Sequence, residues 1–311
     1  MPTIINLFQG LKAYPSFYKQ LTCNELLFTN YDCPQPEGKQ SFFIEQNLIL
    51  YVISGRRIFH KGVQTWEMSK GVCSFVKKGT HISERILDDS WCVMAFFMPD
   101  HFLRQLVMEN RSRLKMSGLP QANLDHVLLL DLTKLSESIF HSMYAYFTQD
   151  PPPPDSMLEL KFRELVLSLL INPKNDRLLA YFNQLSQGAR PSLEEIMQEN
   201  YSFHLTLSDF AKLACLSVPT FKREFRRVFK DAPARWVLRK KLDQAASLLT
   251  NSDLPIIEIA QECGFENQTH FSRVFRKKFG TAPSQWRRRF HTESQRTSAP
   301  HLFSPSLRET K

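Results

Sequence analysis

The sequence predicts an α+β chain of two domains: an N-terminal antiparallel β-sandwich or barrel followed by helices, and a C-terminal all-α domain built on a duplicated helix-turn-helix. Three observations carry this. Short apolar runs separated by turn dipeptides fill the first hundred residues. Helical periodicity takes over after Pro99. Near the C-terminus a sixteen-residue pattern recurs at an offset of fifty residues.

The chain has 311 residues, 42% of them apolar. That suits two domains of roughly 100–200 residues, each with a sizeable core. The net charge of +9 points to a polyanionic partner, nucleic acid first and a membrane surface second. The excess is local. No acidic residue occurs from Asn267 to Thr292, where Arg273, Arg276, Lys277, Lys278, Arg287, Arg288 and Arg289 all fall. Charge alone leaves a solvated face as an even alternative. Six scattered cysteines without a CxxC pair read as thiols of a reducing compartment rather than a disulfide framework. Met1–Gly10 lacks a charged n-region before an apolar run, so no signal peptide is expected. No stretch reaches the roughly 18 apolar residues of a membrane span, and a cytoplasmic location is expected.

In the first domain, residues 1–187, strands are expected from about Gln20 to Met98. The runs Leu48–Ile53, Cys73–Val76 and Trp91–Met98 are bounded by Ser54-Gly55, Lys70-Gly71, Lys78-Gly79 and Asp88-Asp89; repeated short strands of this kind make a sandwich or barrel. Alternation in Ile58–Trp66 and Gly71–Val76 suits antiparallel pairing with one buried face. From about residue 99 the pattern is helical. Phe102, Leu103, Leu106 and Val107 share one face, and Leu158, Phe162, Leu165, Val166 and Leu169 another. These stripes suit packing on the barrel or on a second chain, and a two-fold homodimer is the default oligomer. Pro151–Pro154 forms a stiff extended loop. Residues 188–191 read as a linker, 192–290 as the helical domain, and 291–311 as a polar, disordered tail.

The repeat defines the second domain. Phe221, Arg223, Phe225, Arg226, Phe229, Ala232, Pro233 and Trp236 recur as Phe271, Arg273, Phe275, Arg276, Phe279, Ala282, Pro283 and Trp286. Chance would give about one such identity, so one structural unit occurs twice. Each copy opens with a short helix, marked by Leu207, Phe210, Ala211 and Ala214 or by Ile256, Ile259, Ala260 and Cys263. Thr206 and Asp209 have capping-box spacing, and Pro255 suits a first turn. Tight turns follow at Cys215–Ser217 and Gly264–Asn267, then a helix burying Phe221, Phe225 and Phe229, or Phe271, Phe275 and Phe279. This is the helix-turn-helix plan. Leu238, Leu242, Ala245 and Leu249 make Arg235–Thr250 a long connecting helix with one apolar face.

The exposed face of each second helix carries the function. Thr220, Lys222 and Arg223, or Gln268, Thr269, His270 and Arg273, lie in its first turns. Arg and Lys suit guanine, Gln suits adenine, and a Thr methyl can meet thymine. Arg226, Arg227 and Lys230, or Arg276, Lys277 and Lys278, follow where phosphates would lie. The bland alternative is a pair of basic surface helices. The agreement of repeat, turn, core spacing and charge favours sequence-selective binding of double-stranded DNA. With the connecting helix setting their distance, two such helices would enter successive major-groove turns about 34 Å apart and read an asymmetric site.

These residues resemble the DNA-binding domain of the AraC/XylS family of bacterial transcription regulators. The similarity covers Ser192–Phe290. It is most specific in Ile256-x-x-Ile259-Ala260-x-x-Cys263-Gly264-Phe265, in Phe271-x-x-x-Phe275-Arg276-x-x-Phe279-Gly280-x-x-Pro283-x-x-Trp286, and in Lys241-Leu242-x-x-Ala245-x-x-Leu248-Leu249. Departures are Lys241 where Arg is commoner, Asp231 where Gly is usual, which predicts a tight or strained turn, and Pro219 early in the first base-facing helix. The resemblance implies that Lys222, Arg223, Gln268, Thr269, His270 and Arg273 fall on base-reading positions. It also implies activation, contact with RNA polymerase, and an N-terminal cupin-like barrel with dimerisation helices. Tyr51–Met98 is similar to N-terminal domains of the family, including a subgroup that controls secretion genes, in which the effector can be a partner protein.

No catalytic residues, metal or cofactor are expected. A cupin metal site needs about three His and a carboxylate converging, whereas His60 and His81 stand alone and Glu84 lacks a matching pair. No GxSxG, HExxH or P-loop occurs. The barrel interior is a candidate effector pocket lined by Phe59, Trp66, Phe75, Trp91 and Phe96, against the plain alternative that they fill the core. Three readings compete: a transcription activator with an effector, small molecule or protein; a cupin-type enzyme on a nucleic-acid tether; and an architectural protein that bends DNA with little sequence preference. The missing His/carboxylate set counts against the second, and the two different base-facing surfaces count against the third.

Overall fold

The computed structural model describes residues 4–15, 18–32, 38–62, 64–86, 90–121, 125–188 and 192–289. The expected tail 291–311 and most of the linker 188–191 lie outside them. By internal contacts the chain divides into two compact units. One holds residues 2–200 and Leu205–Glu224; the other holds Tyr201–His204 and Phe225 onward. The division therefore falls inside the helical region rather than at the expected linker.

The first unit begins with β1 (Ile5–Asn6), α1 (Leu7–Ala13), β2 (Lys19–Cys23), β3 (Leu26–Asp32) and β4 (Gly38–Ile44). It continues with β5 (Asn47–Ser54), β6 (Arg56–Lys61), β7 (Gln64–Ser69), β8 (Cys73–Val76), β9 (Gly79–Arg85) and β10 (Cys92–Met98). Then come α2 (Asp100–Asn110), β11 (Val127–Leu130), α3 (Lys134–Tyr146), α4 (Asp155–Ile171) and α5 (Asp176–Ser186). One sheet runs β1-β4-β9-β6-β7, the other β11-β8-β5-β10-β3-β2. The ladders are antiparallel except for the short parallel pair β1–β4. Ile58–Trp66, expected as one alternating run, is a hairpin of β6 and β7 with Phe59 opposite Trp66.

The six-stranded sheet is the middle layer, which explains why its strands are apolar on both faces. In β10, Val93, Ala95 and Phe97 turn to a core shared with Phe42 and Phe59 of the other sheet. Their neighbours Met94, Phe96 and Met98 turn to the helices, as the two-residue period of a strand requires. Phe96 meets Phe28, Phe140 and Phe162, and Phe75 meets Phe182. Each ring so buried contributes roughly 1.5–3 kcal/mol of transfer free energy. Phe102, Leu106, Leu158, Phe162, Leu165 and Leu169 lie in the same core. The helical stripes therefore pack on the sheet of their own chain and are not free for a second one.

Two elements depart from the sequence reading. β11 lies in the region read as helical, because the apolar run Val127–Leu130 carries no period that separates strand from helix. α1 precedes the strands; Asn6 caps it through its side chain, which accepts from the Gln9 N–H at 3.1 Å.

The helical region contributes α6 (Leu193–Asn200), α7 (Leu207–Leu213), α8 (Val218–Phe229), α9 (Pro233–Asn251), α10 (Ile256–Glu262) and α11 (Gln268–Phe279); residues 283–289 are also helical. In the second unit, Leu242, Ala245 and Leu249 of α9 close a core with Ile259, Ala260, Phe271 and Phe275. No helix among the described residues is long and apolar enough to cross a membrane.

Candidate nucleic-acid interface

Each predicted helix-turn-helix has formed, and local chemistry explains where its helices begin and stop. At α7 the Thr206 side chain accepts from the Asp209 N–H at 3.2 Å, while the Asp209 carboxylate accepts from the Thr206 N–H at 2.9 Å. This reciprocal box satisfies two donors that a helix start leaves open. α7 ends on Cys215 in the left-handed region, φ 54°. The Leu216 N–H then returns to Ala211 O at 2.9 Å, turning the chain into α8. At α10 the same device uses Gly264, φ 73°, with the Phe265 N–H on Ala260 O at 2.9 Å. A Cβ on Gly264 would collide with the Ser202 carbonyl oxygen, so only glycine fits. Pro219 lies within the first turn of α8, where the missing N–H is tolerated.

α11 starts on Asn267, whose side chain accepts from the Thr269 N–H at 2.7 Å and the His270 N–H at 3.1 Å. Sequence reasoning placed Asn267 in the turn and missed its role; an Asn directly before the helical pattern was the available signal. Phe271 and Phe275 are fully buried, and Phe275 and Phe279 pack on Trp286 at centroid distances of 5.8 and 4.9 Å. Phe225 and Phe229 meet Trp236 in the same way, at 6.1 and 4.9 Å. The eight repeated positions are thus mainly the hydrophobic wedge that seats each second helix.

With the wedge buried, the opposite face is exposed. Lys222 and Arg223 of α8 and Gln268, Thr269, His270 and Arg273 of α11 are exposed, and Thr220 is half-buried. Thr220 exchanges a hydroxyl hydrogen bond with Ser217 at 2.9 Å. Arg273 Nη2 lies 3.2 Å from His270 Nδ1, so these two side chains act as neighbours. Arg226, Arg227, Lys230, Arg276 and Lys277 are exposed as well.

Two expectations need correction. Lys278 is not a free surface cation: its ammonium donates to Asp243 at 2.6 Å and to Arg239 O at 2.9 Å, which ties α11 to α9. The strain expected at Asp231 falls one residue earlier. Lys230 takes the left-handed backbone, φ 52°, where the second copy has Gly280 at φ 77°. Asp231 instead anchors the turn, accepting from Arg239 at 2.7 Å and from the Ala232 N–H at 2.8 Å.

Lys241, noted for standing where Arg is commoner, is buried and donates to Gly264 O at 3.0 Å. Burial pushes its pKa down to about 8, against the opposing influence of Cys263 and Glu266. It thus holds the carbonyl of the residue that turns α10 into α11.

In the first unit, Phe59 and Trp91 line a cavity of about 300 Å³ with Leu11, Tyr31, Phe42 and Leu48. Phe75 and Phe96 do not line it, because strand parity turns them to the helical side. Trp66 packs at the edge of the inter-sheet core. Arg57 is buried with its guanidinium 5.6 Å from the Trp91 ring. His60 and Glu84, read as isolated, pair with each other at 2.7 Å across β6 and β9. His81 is buried with Nε2 2.8 Å from Lys77 O; burial first, then the nearby Lys61 charge, holds its pKa well below the ordinary histidine value. Among the described residues no three His, Cys, Asp or Glu side chains gather as a metal site.

Comparison with known proteins divides the chain between residues 181 and 210. Residues 47–181 match the family model described as the ExsA N-terminal regulatory domain, and residues 210–289 match a helix-turn-helix domain. The chain is 24% identical over 242 residues to the virulence regulon transcriptional activator VirF of Yersinia enterocolitica, covering 78% of this chain and 89% of that one. It is 26% identical over 223 residues to the HTH-type transcriptional regulator ExsA of Pseudomonas aeruginosa, covering 72% and 79%. Among solved structures, that of ToxT from Vibrio cholerae aligns over 85% of this chain and 98% of its own, at 14% identity and a TM-score of 0.37.

Proposed function

We propose that this chain is a DNA-binding transcription regulator of the AraC/XylS family, an activator whose two recognition helices, α8 and α11, read one asymmetric promoter site. The observation that carries this is the duplicated wedge with two different exposed faces. Repetition of Phe225, Phe229 and Trp236 as Phe275, Phe279 and Trp286 seats both helices alike. At equivalent positions, Val218, Pro219, Thr220 and Lys222 of α8 nevertheless stand where α11 has Gln268, Thr269, His270 and Ser272. Two faces of different chemistry select two different base sequences.

In this reading, Thr220, Lys222, Arg223, Gln268, Thr269, His270 and Arg273 meet base edges in successive major-groove turns about 34 Å apart. Arg226, Arg227, Lys230, Arg276 and Lys277 meet phosphates and supply the salt-dependent share of affinity. The protein works in the cytoplasm and contacts RNA polymerase, and activation is supported by the printed role of VirF. The N-terminal unit receives an effector, as a small molecule in the cavity beside Phe59 and Trp91 or as a partner protein. It also dimerises. The stripes first considered for dimerisation are buried, so the dimer surface moves to the exposed Leu135, Leu160 and Ile171, which border a groove on α3 and α4.

The test is selection of duplexes from a random library by the full chain at about 0.15 M salt, an ionic strength at which phosphate contacts are partly screened. A reproducible asymmetric motif of two blocks about one helical turn apart supports the reading. Tight binding to all DNA with no enriched motif sinks it in favour of an architectural role.

A further inference from the structure

We propose that Lys78, Asp100 and Cys215 form an autoinhibitory clasp that restrains the first recognition helix on the sheet domain and has to open for full DNA affinity. The inference rests on the DNA-binding reading above. It begins with an asymmetry that the repeat does not explain. α7, its turn and the start of α8 cluster with the β-rich unit, whereas the whole second copy clusters apart from it.

The residues at this seam are polar, buried and mutually bonded. Asp100 opens α2, and its carboxylate accepts from Lys78 at 2.8 Å and from the Asn47 side chain at 2.8 Å. The Asn47 side-chain Oδ1 accepts from the Lys78 N–H at 3.1 Å. Lys78 and Asp100 are 5% and 8% exposed, so this pair is sealed from solvent. The lid on it is Cys215, with Sγ 3.1 Å from Lys78 Nζ and 3.5 Å from Asp100 Oδ2. Removing the turn of the first helix-turn-helix would leave the ammonium and carboxylate open to water on that side.

Cys215 occupies a left-handed position that the second copy fills with Gly264. A non-glycine residue there is disfavoured, so the side chain persists against local preference. What it gains is the contact with Lys78 and Asp100. Two flanking contacts reinforce the clasp. Lys212 of α7 donates to Glu45 in the β4–β5 turn at 2.6 Å. Asn200, which ends α6, accepts from the Thr80 N–H at 3.1 Å and from the Thr80 hydroxyl at 2.7 Å. All three contacts reach the same end of the sheets, at the turns before β5 and β9 and the start of α2.

The clasp leaves Lys222 and Arg223 exposed, so it restrains the helix without masking it. α8 continues from Glu224 into Phe225–Phe229, which pack on Trp236 and cluster with the other unit. The helix therefore runs across the division between the units, and placing it for DNA competes with holding its start on the sheets. A protein whose binding-competent state is partly populated shows an affinity lowered by that fraction.

The test uses the full chain carrying Cys215→Gly and Lys212→Ala, singly and together, with amide hydrogen exchange read across residues 207–224 and affinity measured for the duplex that the wild type enriches. Glycine suits the left-handed turn, so Cys215→Gly keeps the fold, and unchanged exchange at 268–279 verifies this. The expected result is faster exchange at 207–224 and DNA affinity about fivefold tighter in the double variant, within the usual range of coupling between sites. Unchanged exchange overturns the clasp. Faster exchange with equal or weaker affinity overturns its inhibitory role. If the wild type enriches no duplex, the DNA-binding reading itself has failed, the inhibitory role falls with it, and the exchange data alone decide the contact.

Discussion

The two helix-turn-helix units share a wedge but not their turns. Both seat a recognition helix through three Phe at four-residue spacing and a Trp, yet the second copy bends on Gly264 and Gly280, the first on Cys215 and Lys230. The second copy closes a core with its own connecting helix. The start of the first joins the sheets instead. Packing inside a motif constrains its sequence tightly, while the residues at its bends answer to whatever each copy touches. Divergence between the copies is therefore a map of their different surroundings.

Deleting the wedge tests the shared part and has the largest expected effect. Phe275→Ala and Phe225→Ala remove fully buried rings, and each should destabilise its helical packing by about 3–5 kcal/mol through the cavity left behind. Urea unfolding followed by tryptophan fluorescence reads this, since Trp286 and Trp236 cover the two sites. A loss below about 1 kcal/mol at either site would mean that its wedge collapses freely and that the copies are not equivalent.

Changing pH should separate the copies in opposite directions. Asp100 is held below the ordinary carboxylate value: burial opposes its charge, but Lys78, Cys215 and Asn47 outweigh burial. Its contribution is present above the ordinary carboxylate range and is lost as pH falls through its depressed pKa. Acid should therefore loosen residues 207–224 before 256–279. Lys241 has the opposite sign. Its pKa of about 8 lies below that of an unfolded lysine, so above pH 8 the unfolded chain binds the extra proton. The second unit should gain stability from about pH 8 toward the ordinary lysine range. Hydrogen exchange across a pH series, corrected for intrinsic rates, measures both; parallel responses of the two copies would remove the assigned causes.

Much of this architecture was legible in the sequence, and what was missed has a common origin. Wedge, caps and connecting helix are local: their partners lie within about two helical turns or recur in the repeat, so spacing reveals them. β5, β8 and β10 were visible because turn residues bracket them. Which face of β10 met the cavity was not, because a strand buried on both sides shows no alternation, and Phe96 went to the wrong layer for that reason. The hydrogen bond of His60 with Glu84 and the cluster of Lys78, Asp100 and Cys215 join residues 22 to 137 positions apart. Only the tertiary fold brings such residues together. Lys278 taught the reverse lesson: a cation counted from the pattern as a phosphate ligand was already committed to Asp243.

The basic faces give smaller, more selective effects. Arg273→Ala should lose about 1–3 kcal/mol and relax preference at one base position, and Arg223→Ala should do the same in the other block. Equal losses on matched and scrambled duplexes would deny either residue a base-reading role. Lys277→Ala should weaken all duplexes alike and lower the salt slope by about one. Lys278→Ala should change the slope less, because its charge is already paired with Asp243. Affinity measured at several salt concentrations separates the two, and equal slope changes would show that Lys278 leaves Asp243 when DNA arrives.

The smallest expected effect bears most directly on the bends. Lys230 and Gly280 occupy equivalent left-handed positions at the ends of α8 and α11. A non-glycine residue there costs about 1 kcal/mol. Lys230→Gly should therefore stabilise the first helix-turn-helix copy by up to about 1 kcal/mol, less what glycine adds to the entropy of the unfolded chain. Gly280→Lys should destabilise the second by a similar amount. Asp231→Gly, one residue on, should instead destabilise, because it removes the acceptor of Arg239 and of the Ala232 N–H. If Lys230 meets phosphate as proposed, Lys230→Gly should trade a small loss of DNA affinity at low salt for that stability. A stable Lys230→Gly with undiminished affinity at every salt concentration would mean that this lysine does not contact phosphate and that its backbone strain serves nothing at the DNA.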